Sequence, residues 1–447
     1  MNSHSASAMK IFFRNIHLYL SLVAGLVIAV VCFTGAVLVF EKELEQQFHP
    51  KRYRVTPPAA DAPRLSVEQM VAAVQAQAGP KANIAGVKIY ADPTRTAEIS
   101  LAGGGPGEKG GKEGREGGKE GRMGRGEGGG QQRAGQAGPG GERGGRGEGQ
   151  GQKGGKGEKG KGGGGEGGRG PQYFVNPYTG AVVGPYVYRD SFFFTMMALH
   201  RGMVGGPVGK LIVGVSTLMF LFIIVTGIVL WWPASNKILK QRLTVKWDAS
   251  FKRLNHDLHI VLGFYSALFL FIFAFTGLAW SFEWFNNGIF AVTNSDPKGP
   301  EAPKSEVVVS GQKLGFDQAY TVARQQVPDA LSYAISLPKD STEALRVMTT
   351  SADAAYEGAT DELYLDQYTG RPLGKLAFED RNLGQRVRRT FKPVHTGAIY
   401  GTPSKILALI VCVLGVTFPV TGVIMWLNRL KKEKKKLAKK QVATAAA

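Results

Sequence analysis

Four long apolar stretches without charged residues alternate with polar segments along the chain. They cover residues 16–40, 211–233, 260–282 and 406–427. Each stretch exceeds the roughly 20 residues with which an α-helix crosses the apolar core of a bilayer. Because no water is available there to pair with backbone groups, such segments must be helical. The first stretch is followed by Glu41-Lys42-Glu43 rather than by a small-residue cleavage site, so we interpret it as an uncleaved anchor.

The distribution of Lys and Arg predicts the orientation of these spans. Lys10 and Arg14 precede the first span, and further Lys and Arg cluster in segments 237–253 and 429–440. Basic segments next to membrane spans favour the cytoplasmic side. We therefore predict a multi-pass protein of the bacterial inner (cytoplasmic) membrane with both termini in the cytoplasm, and with residues 41–207 and 285–403 in the periplasm.

The spans and the segments between them form two copies of one plan, both running in the same direction. In spans one and three, His17 is followed by Thr34-Gly35 and His259 by Thr276-Gly277 at the same offset. In spans two and four, His200 is followed by Thr226-Gly227 and His395 by Thr421-Gly422, again at one offset. So many unlike residues at equal spacing indicate a tandem repeat. Parallel copies predict two halves related by an axis along the membrane normal.

The segments outside the spans also match each other. Each holds an amphipathic helix, two strand candidates and a hairpin ending in Tyr178-Thr179-Gly180 or Tyr368-Thr369-Gly370, where Gly supplies the positive φ of the turn. We therefore predict a membrane α-helical fold, a four-helix transmembrane bundle from a tandem parallel repeat, with two periplasmic α+β domains. The predicted organisation is an N-terminus 1–15, spans 16–40, 208–233, 258–284 and 404–428, outer domains 41–207 and 285–403, a cytoplasmic loop 234–257 and a basic tail 429–447.

Composition changes this picture at one place. Of the 61 Gly in the chain, 35 lie between Gly103 and Gly170, a segment that also contains 14 Lys or Arg and nine Asp or Glu. This composition predicts a disordered insertion in a hairpin loop, either a solvated tether or a segment that gathers anionic ligands or cell-wall polymer. Outside it, much of the net charge of +20 belongs to the cytoplasmic loop and tail. We therefore predict no nucleic-acid partner.

Histidines supply the candidate chemistry. Of the seven His, His17 and His259 lie at the cytoplasmic ends of spans one and three, and His200 and His395 near the outer ends of spans two and four. Such residues are either amphipathic boundary groups or two facing pairs that hold an iron porphyrin or a bare metal ion. By helix length, the Thr-Gly pairs lie at the same membrane levels as these histidines. They either allow close helix packing or make room for a porphyrin. His4 and His49 are predicted surface residues, His256 is a neighbour of His259, and Cys32 and Cys412 are apolar packing residues.

The spans that run from His to Thr-Gly, the Leu230-Trp231-Trp232-Pro233 ending, the Asp257-Leu258-His259 start and the Tyr-Thr-Gly hairpins resemble the PepSY-associated transmembrane family. This family includes iron-regulated inner-membrane proteins that act as siderophore reductases. The resemblance covers the chain apart from its termini and the glycine-rich insertion. It implies that the two outer domains are PepSY domains and that two b-type haems are each held by two histidines. His17 and His259 would ligate the iron of the cytoplasmic-side haem, and His200 and His395 that of the periplasmic-side haem.

The function that this resemblance implies is an oxidoreductase that moves electrons across the membrane to a ferric siderophore and releases Fe(II) in the periplasm. Its partners would be the siderophore, membrane lipid and an electron donor, either a quinol or a cytoplasmic reductase. A catalytic acid or nucleophile is not needed, since the cofactor carries the chemistry. Two alternatives are a non-enzymatic PepSY-containing regulator of a peptidase or of iron uptake, and a transporter. The absence of charge within the spans argues against a transport pathway.

Overall fold

The computed structural model describes residues 3–102, 170–308 and 311–445. The predicted glycine-rich insertion lies outside these residues apart from Gly170. The helices are α1 Ser3–Leu38, α2 Glu41–Phe48, α3 Pro50–Tyr53, α4 Val67–Ala78, α5 Phe192–His200, α6 Gly206–Trp231, α7 Asn236–Leu243, α8 Phe251–Asp257, α9 Gly263–Ser281, α10 Glu283–Val292, α11 Phe316–Gln326, α12 Leu383–His395 and α13 Thr402–Ala445. The strands are β1 Ile84–Tyr90, β2 Ala97–Leu101, β3 Gln172–Val175, β4 Val182–Tyr186, β5 Ala330–Ser336, β6 Leu345–Ser351, β7 Asp361–Leu365 and β8 Pro372–Leu376.

Four helical segments are long and apolar enough to cross a membrane, which makes the chain a membrane protein. They are Met9–Leu38, Met203–Trp231, Phe251–Ser281 and Thr402–Thr444. Helix α1 packs against α6 and α13, and α9 packs against the same two helices, so the four form a closed bundle. In this bundle α1 and α9 face each other across its centre. Helix α13 does not end at the membrane, because Lys-rich residues with high helix propensity continue it where a tail was predicted.

All eight strands form one antiparallel sheet in the order β4-β3-β2-β1-β5-β6-β7-β8. The sequence predicts two separate α+β units, but strand β1 pairs directly with β5, with Val87 opposite Ile335. The two units are therefore joined edge to edge, which removes a free edge from each. The sheet-rich part is an α+β domain in which α4 and α11 cover one face of the sheet, with Val74, Ala319 and Ala323 fully buried against it.

Both predicted Tyr-Thr-Gly turns are present at the ends of the sheet. Gly180 and Gly370 have φ angles of +71° and +73°, a conformation that only glycine adopts without strain. In the first turn the backbone N–H of Tyr178 donates a hydrogen bond to the Asn176 side-chain oxygen at 2.9 Å. In the second turn the backbone N–H of Tyr368 donates one to the Asp366 carboxylate at 3.0 Å. Strands β4 and β8 then lead into the segments that carry α5 and α12, and these two short helices return the chain to the bundle.

Candidate functional site

The four matched histidines meet as two pairs at opposite ends of the bundle. The loop-side pair is His17 and His259, whose ring centroids are 6.5 Å apart with the ring planes at 86°. The sheet-side pair is His200 and His395, whose centroids are 6.0 Å apart with the planes at 67°. In each pair one histidine comes from the first half of the chain and one from the second. The structure therefore brings together the predicted site residues, and in the predicted combination.

The two pairs are positioned by different helical elements. His200 and His395 are the last residues of α5 and α12, which end where the chain turns into the next span. His17 lies within α1, whereas His259 lies in a π-helical segment, Leu258–Leu262, between α8 and α9. Such a segment inserts one extra residue into a helical turn and is found most often at functional sites. Here it lets α8 and α9 run on continuously while His259 faces His17.

A threonine on the neighbouring helix contacts Nδ1 of each histidine. The Nδ1···Oγ1 distances are 3.0 Å for His17 and Thr226, 3.2 Å for His200 and Thr34, 2.8 Å for His259 and Thr421, and 3.1 Å for His395 and Thr276. Each threonine hydroxyl donates its own hydrogen to a carbonyl one turn earlier in its helix. The hydroxyl oxygen is therefore the acceptor, and the imidazole Nδ1–H is the donor.

Backbone carbonyls confirm this protonation state. His17 Nδ1 also lies 3.0 Å from Ile223 O, and His395 Nδ1 lies 2.9 Å from Phe273 O. Because a carbonyl oxygen only accepts, Nδ1 carries a proton, and in the neutral ring Nε2 then keeps its lone pair. A second hydrogen bond that fixes the tautomer and orientation of the ring is what metal-binding histidines require.

A glycine follows each of these threonines and allows the imidazole to approach the helix. A Cβ atom at Gly35, Gly227, Gly277 or Gly422 would lie between 3.2 and 3.4 Å from the Cε1 atom of the adjacent histidine. This is closer than most side chains tolerate, so a larger residue would push the ring out of position. The Thr-Gly pairs therefore act together, since the glycine makes room for the ring and the threonine hydroxyl holds it.

The electrostatic environment keeps the sheet-side pair neutral. Burial and the adjacent His395 imidazole lower the pKa of His200 to about 4, and burial also lowers the pKa of His395. At neutral pH neither ring carries a proton on both nitrogens, so both Nε2 lone pairs are available to a metal. In the described part of the chain, no third His, Cys, Asp or Glu side chain completes a metal-binding group with either pair.

The two pairs have different surroundings. The Trp280 indole lies beside His395, with ring centroids 5.4 Å apart, and the Phe273 ring on the same helix as Trp280 lies 6.4 Å from the His395 ring. At the loop side, the Phe418 ring lies 5.8 Å from His259. A cavity of about 450 Å³ opens near this pair, lined mainly by apolar side chains that include Phe13 and Ile228. Phe13 precedes His17 by one helical turn, and Ile228 follows Gly227 directly.

Other candidates from the sequence lie outside the pairs. His256 Nδ1 is 3.3 Å from the carboxylate of Asp257, and its side chain points away from His17 into a partly exposed ion cluster with Arg253. His49 is half exposed and lies 4.0 Å from Glu45, as a surface residue would. Cys32 and Cys412 are free thiols inside the bundle, where Cys32 packs against Gly415 as predicted for a small apolar residue.

Sequence reasoning placed the Thr-Gly pairs at the correct membrane level but did not find their contacts. The repeat did mark these threonines, because each follows a histidine at a constant offset in both halves of the chain. That histidine, however, belongs to the pair at the opposite end of the bundle from the one that the threonine contacts. Sequence reasoning also did not find the contact between the Trp280 indole and His395. Neither offset nor composition distinguishes an interfacial tryptophan from one that packs on a site residue.

A family model described as the PepSY-associated TM region matches residues 14–429, which include both histidine pairs, all four membrane helices and the whole sheet. No curated protein matches the chain at a significant level.

Proposed function

Since the chain belongs to the family of the PepSY-associated TM region, we propose that it is a haem-containing reductase of the bacterial inner membrane. In this proposal it moves electrons across the membrane to ferric siderophores and releases Fe(II) in the periplasm. The observation that carries the proposal is the presence of two facing histidine pairs, His17 with His259 and His200 with His395, at opposite ends of one bundle.

The pairs fit the axial positions of a haem iron. With a metal–nitrogen bond of about 2 Å on each side and roughly 1 Å from Nε2 to the ring centre, two axial imidazoles should have centroids about 6 Å apart. The distances of 6.5 Å and 6.0 Å agree with this expectation. Haem iron when bound would supply one-electron chemistry that amino-acid side chains lack. A structural zinc ion would instead require four protein ligands, which neither pair offers within the described residues.

The chain's own residues set the strength and orientation of both axial ligands. Hydrogen bonds from Nδ1–H to Thr34, Thr226, Thr276 and Thr421 make each imidazole more basic at Nε2. The surrounding apolar helices exclude water, which further determines the potential at which a bound iron would exchange an electron. Along α1, the 17 residues from His17 to Thr34 span about 25 Å, so the two pairs lie near the two faces of the apolar core.

Charge supports the orientation proposed for these two sites. The loop-side pair lies next to the segment that contains Lys240 and Arg242 and to the basic end of α13, which the positive-inside rule favours for the cytoplasm. The sheet would then be periplasmic, both termini cytoplasmic, and the two halves parallel copies of one unit. Electrons would enter at the loop-side pair and leave at the sheet-side pair.

The cavity beside the loop-side pair favours a lipid-soluble electron donor over a cytoplasmic reductase. Its lining includes Phe13, Ile228, Val229 and Trp232, together with Lys10. An apolar pocket with one cationic group suits the ring and tail of a membrane quinol. At the opposite end, one-electron reduction would convert hard Fe(III), which prefers oxygen ligands, to Fe(II), which such ligands hold more weakly.

The absorption spectrum of the purified protein, combined with the haem stoichiometry, tests this proposal. We expect a red protein with two haems per chain, a Soret band and a split α band after reduction, as six-coordinate b-type haem gives. Addition of a ferric chelate to the reduced protein should restore the oxidised spectrum and produce Fe(II), detected with a ferrous-specific dye. Colourless protein from haem-replete cells would refute the proposal and favour the non-enzymatic PepSY regulator.

A further inference from the structure

Arg388 on α12 is a partly buried cation whose neighbours are an amide and an aromatic ring. Its Nε donates a hydrogen bond to Asn286 Oδ1 at 2.7 Å, and its guanidinium lies 4.8 Å from the ring centroid of Trp280. Within residues 3–102, 170–308 and 311–445, no carboxylate forms an ion pair with it. The next residue differs, since Arg389 lies 3.5 Å from the Glu362 carboxylate.

Trp280 connects this arginine to the sheet-side pair. Its indole contacts both Arg388 and His395, with ring centroids 5.4 Å apart in the second contact. Arg388 precedes His395 by seven residues, which places it two helical turns and about 10 Å further from the membrane core on the same face of α12. A group bound by Arg388 would therefore lie beside the Trp280 ring and within reach of the site's outer edge.

The arginine carries a charge that its surroundings do not compensate. Burial lowers the pKa of Arg388, and no nearby carboxylate counteracts this effect. A partly desolvated guanidinium without a counter-ion raises the free energy of the protein, and an oxyanion that forms two hydrogen bonds to it would lower that free energy. The helix itself attracts such a group, because Leu383–His395 also contains the exposed Arg386 and no acidic residue.

The first half of the chain lacks this arrangement. Seven residues before His200 stands Phe193, which is buried, and 21 residues after His17 stands Leu38, where the second half has Arg388 and Trp280 at the same offsets. Helix α5 carries five aromatic or methionine side chains in its first six residues and no arginine. The histidine, threonine and glycine positions are shared by both halves, whereas this arginine and tryptophan are not. They are therefore not needed to hold the histidines.

We propose that Arg388 and Trp280 form the binding site for a carboxylate arm of an anionic ferric chelate, at the outer edge of the sheet-side pair. This inference rests on the proposed function and specifies the substrate class. The guanidinium binds the carboxylate through two parallel N–H···O hydrogen bonds, and the indole face supports the guanidinium from behind. A chelate held there is anchored through the second half of the chain, next to His395 rather than His200.

The test compares an anionic and a cationic chelate on the full-length protein. Ferric citrate and ferrioxamine B are the probes, and their dissociation constants are measured by equilibrium dialysis with radioactive iron. We expect Arg388→Gln to weaken ferric citrate binding at least about tenfold, since the loss of even one of the two charge-assisted hydrogen bonds has that effect, and to leave ferrioxamine B binding within twofold. Arg388→Lys, which keeps the charge but loses the planar fork, should give a smaller loss.

Arg386→Gln is the matched control, because Arg386 is exposed on the same helix. Equal changes for Arg388→Gln and Arg386→Gln, or equal changes for the two chelates, would overturn the proposal. Loss of haem from Arg388→Gln with unchanged citrate affinity would also overturn it, since the arginine would then serve a haem carboxylate. If the purified protein contains no haem, the proposed reductase function fails, but the dialysis measurement still decides whether this site binds ferric citrate.

Discussion

The two halves of the chain agree at the positions that hold the histidines and differ at the positions around them. His17 contacts Thr226 in the same way as His259 contacts Thr421, with Nδ1···Oγ1 distances of 3.0 and 2.8 Å. At the sheet side the first half places Phe193 and Leu38 where the second half has Arg388 and Trp280. Shared positions therefore determine how the sites are built, and unshared positions determine what they bind.

This difference follows from how each pair is assembled. Because a pair takes one histidine from each half, both halves must present the same imidazole geometry, and neither can change its threonine or glycine alone. The surroundings are under no such restriction. One flank of the sheet-side pair can become basic and aromatic while the other stays apolar, as α12 and α5 show. The comparison predicts paired effects for shared residues and one-sided effects for unshared ones.

The largest expected effect is the loss of one haem equivalent from each single histidine variant. His259→Ala should empty the loop-side site and His395→Ala the sheet-side site, because one axial ligand does not replace two. In the first half of the chain, His17→Ala should likewise empty the loop-side site and His200→Ala the sheet-side site. Haem per chain is measured by the pyridine haemochrome assay, with His256→Ala as the control that keeps both haems. Loss of both haems from every variant would contradict two independent pairs.

Glycine variants should give the next largest effect. In Gly277→Val, a Cβ atom would lie 3.3 Å from His395 Cε1 and the added methyl groups closer still, so the ring must move. We expect the sheet-side site to bind haem tenfold to hundredfold more weakly, which corresponds to an overpacking cost of about 1–3 kcal/mol. Gly35→Val, the matching change in the first half, should act on the same haem.

The control for both glycine variants is Gly288→Val, because a Cβ atom at Gly288 meets nothing within 4 Å. Haem transfer to excess apomyoglobin measures the dissociation rates of all three proteins. A sheet-side haem that dissociates from Gly277→Val as slowly as from the control would show that the glycine does not position His395.

Threonine variants should have a smaller effect, since a backbone carbonyl remains as an acceptor. Thr276→Val removes the 3.1 Å contact to His395 Nδ1 but leaves the one to Phe273 O. Loss of one partner of a metal-binding histidine weakens binding about tenfold, the lower end of the usual range. The midpoint potential of the sheet-side haem should fall or rise without a change in that of the loop-side haem.

Thr217→Val serves as the control for this change, because the Thr217 hydroxyl is also buried and bonds only the carbonyl of Val213 in its own helix. Spectroelectrochemical titration of the two proteins separates the two potentials. Identical titrations for Thr276→Val and Thr217→Val would mean that the hydroxyl contributes nothing to the site.

The smallest effect is expected from deletion of residues 105–168. Strands β2 and β3 pair directly, with Leu101 N donating to Pro171 O at 3.1 Å, and the second half joins β6 to β7 with the nine residues 352–360. A short loop is therefore sufficient, and loop length has little effect on the stability of a hairpin. Haem content and ferric-chelate reduction should be unchanged. Slower reduction of anionic chelates alone would instead assign ligand capture to the insertion.

Local patterns predicted the parts of the fold that local physics determines. Hydropathy located the four membrane helices, and the Tyr-Thr-Gly pattern located the two turns with positive φ at Gly180 and Gly370. The continuation of α13 through the basic tail was not predicted, because the rule that Lys marks the membrane boundary does not decide where a helix ends. The pairing of β1 with β5 was missed, since it joins residues about 250 positions apart through an edge that carries no signal in composition.

The candidate site was predictable only as far as the repeat extends. Equal offsets identified the four histidines and showed which of them face each other, because symmetry converts spacing into proximity. The roles of Thr34 and Trp280 depend on side-chain direction across neighbouring helices, which spacing does not give. The same holds for the π-helical segment at His259, whose extra residue shifts the helical register locally.

The order in which the chain is synthesised gives the pairing of histidines a consequence for biogenesis. His17 has no partner until residue 259 has left the ribosome, and His200 waits until residue 395. Neither site exists in a chain truncated to its first half, and the sheet-side site requires the chain through His395. Occupancy of the sheet-side site would thus report that both halves of the sheet have been synthesised, and shorter nascent chains would be unable to hold a redox-active group there.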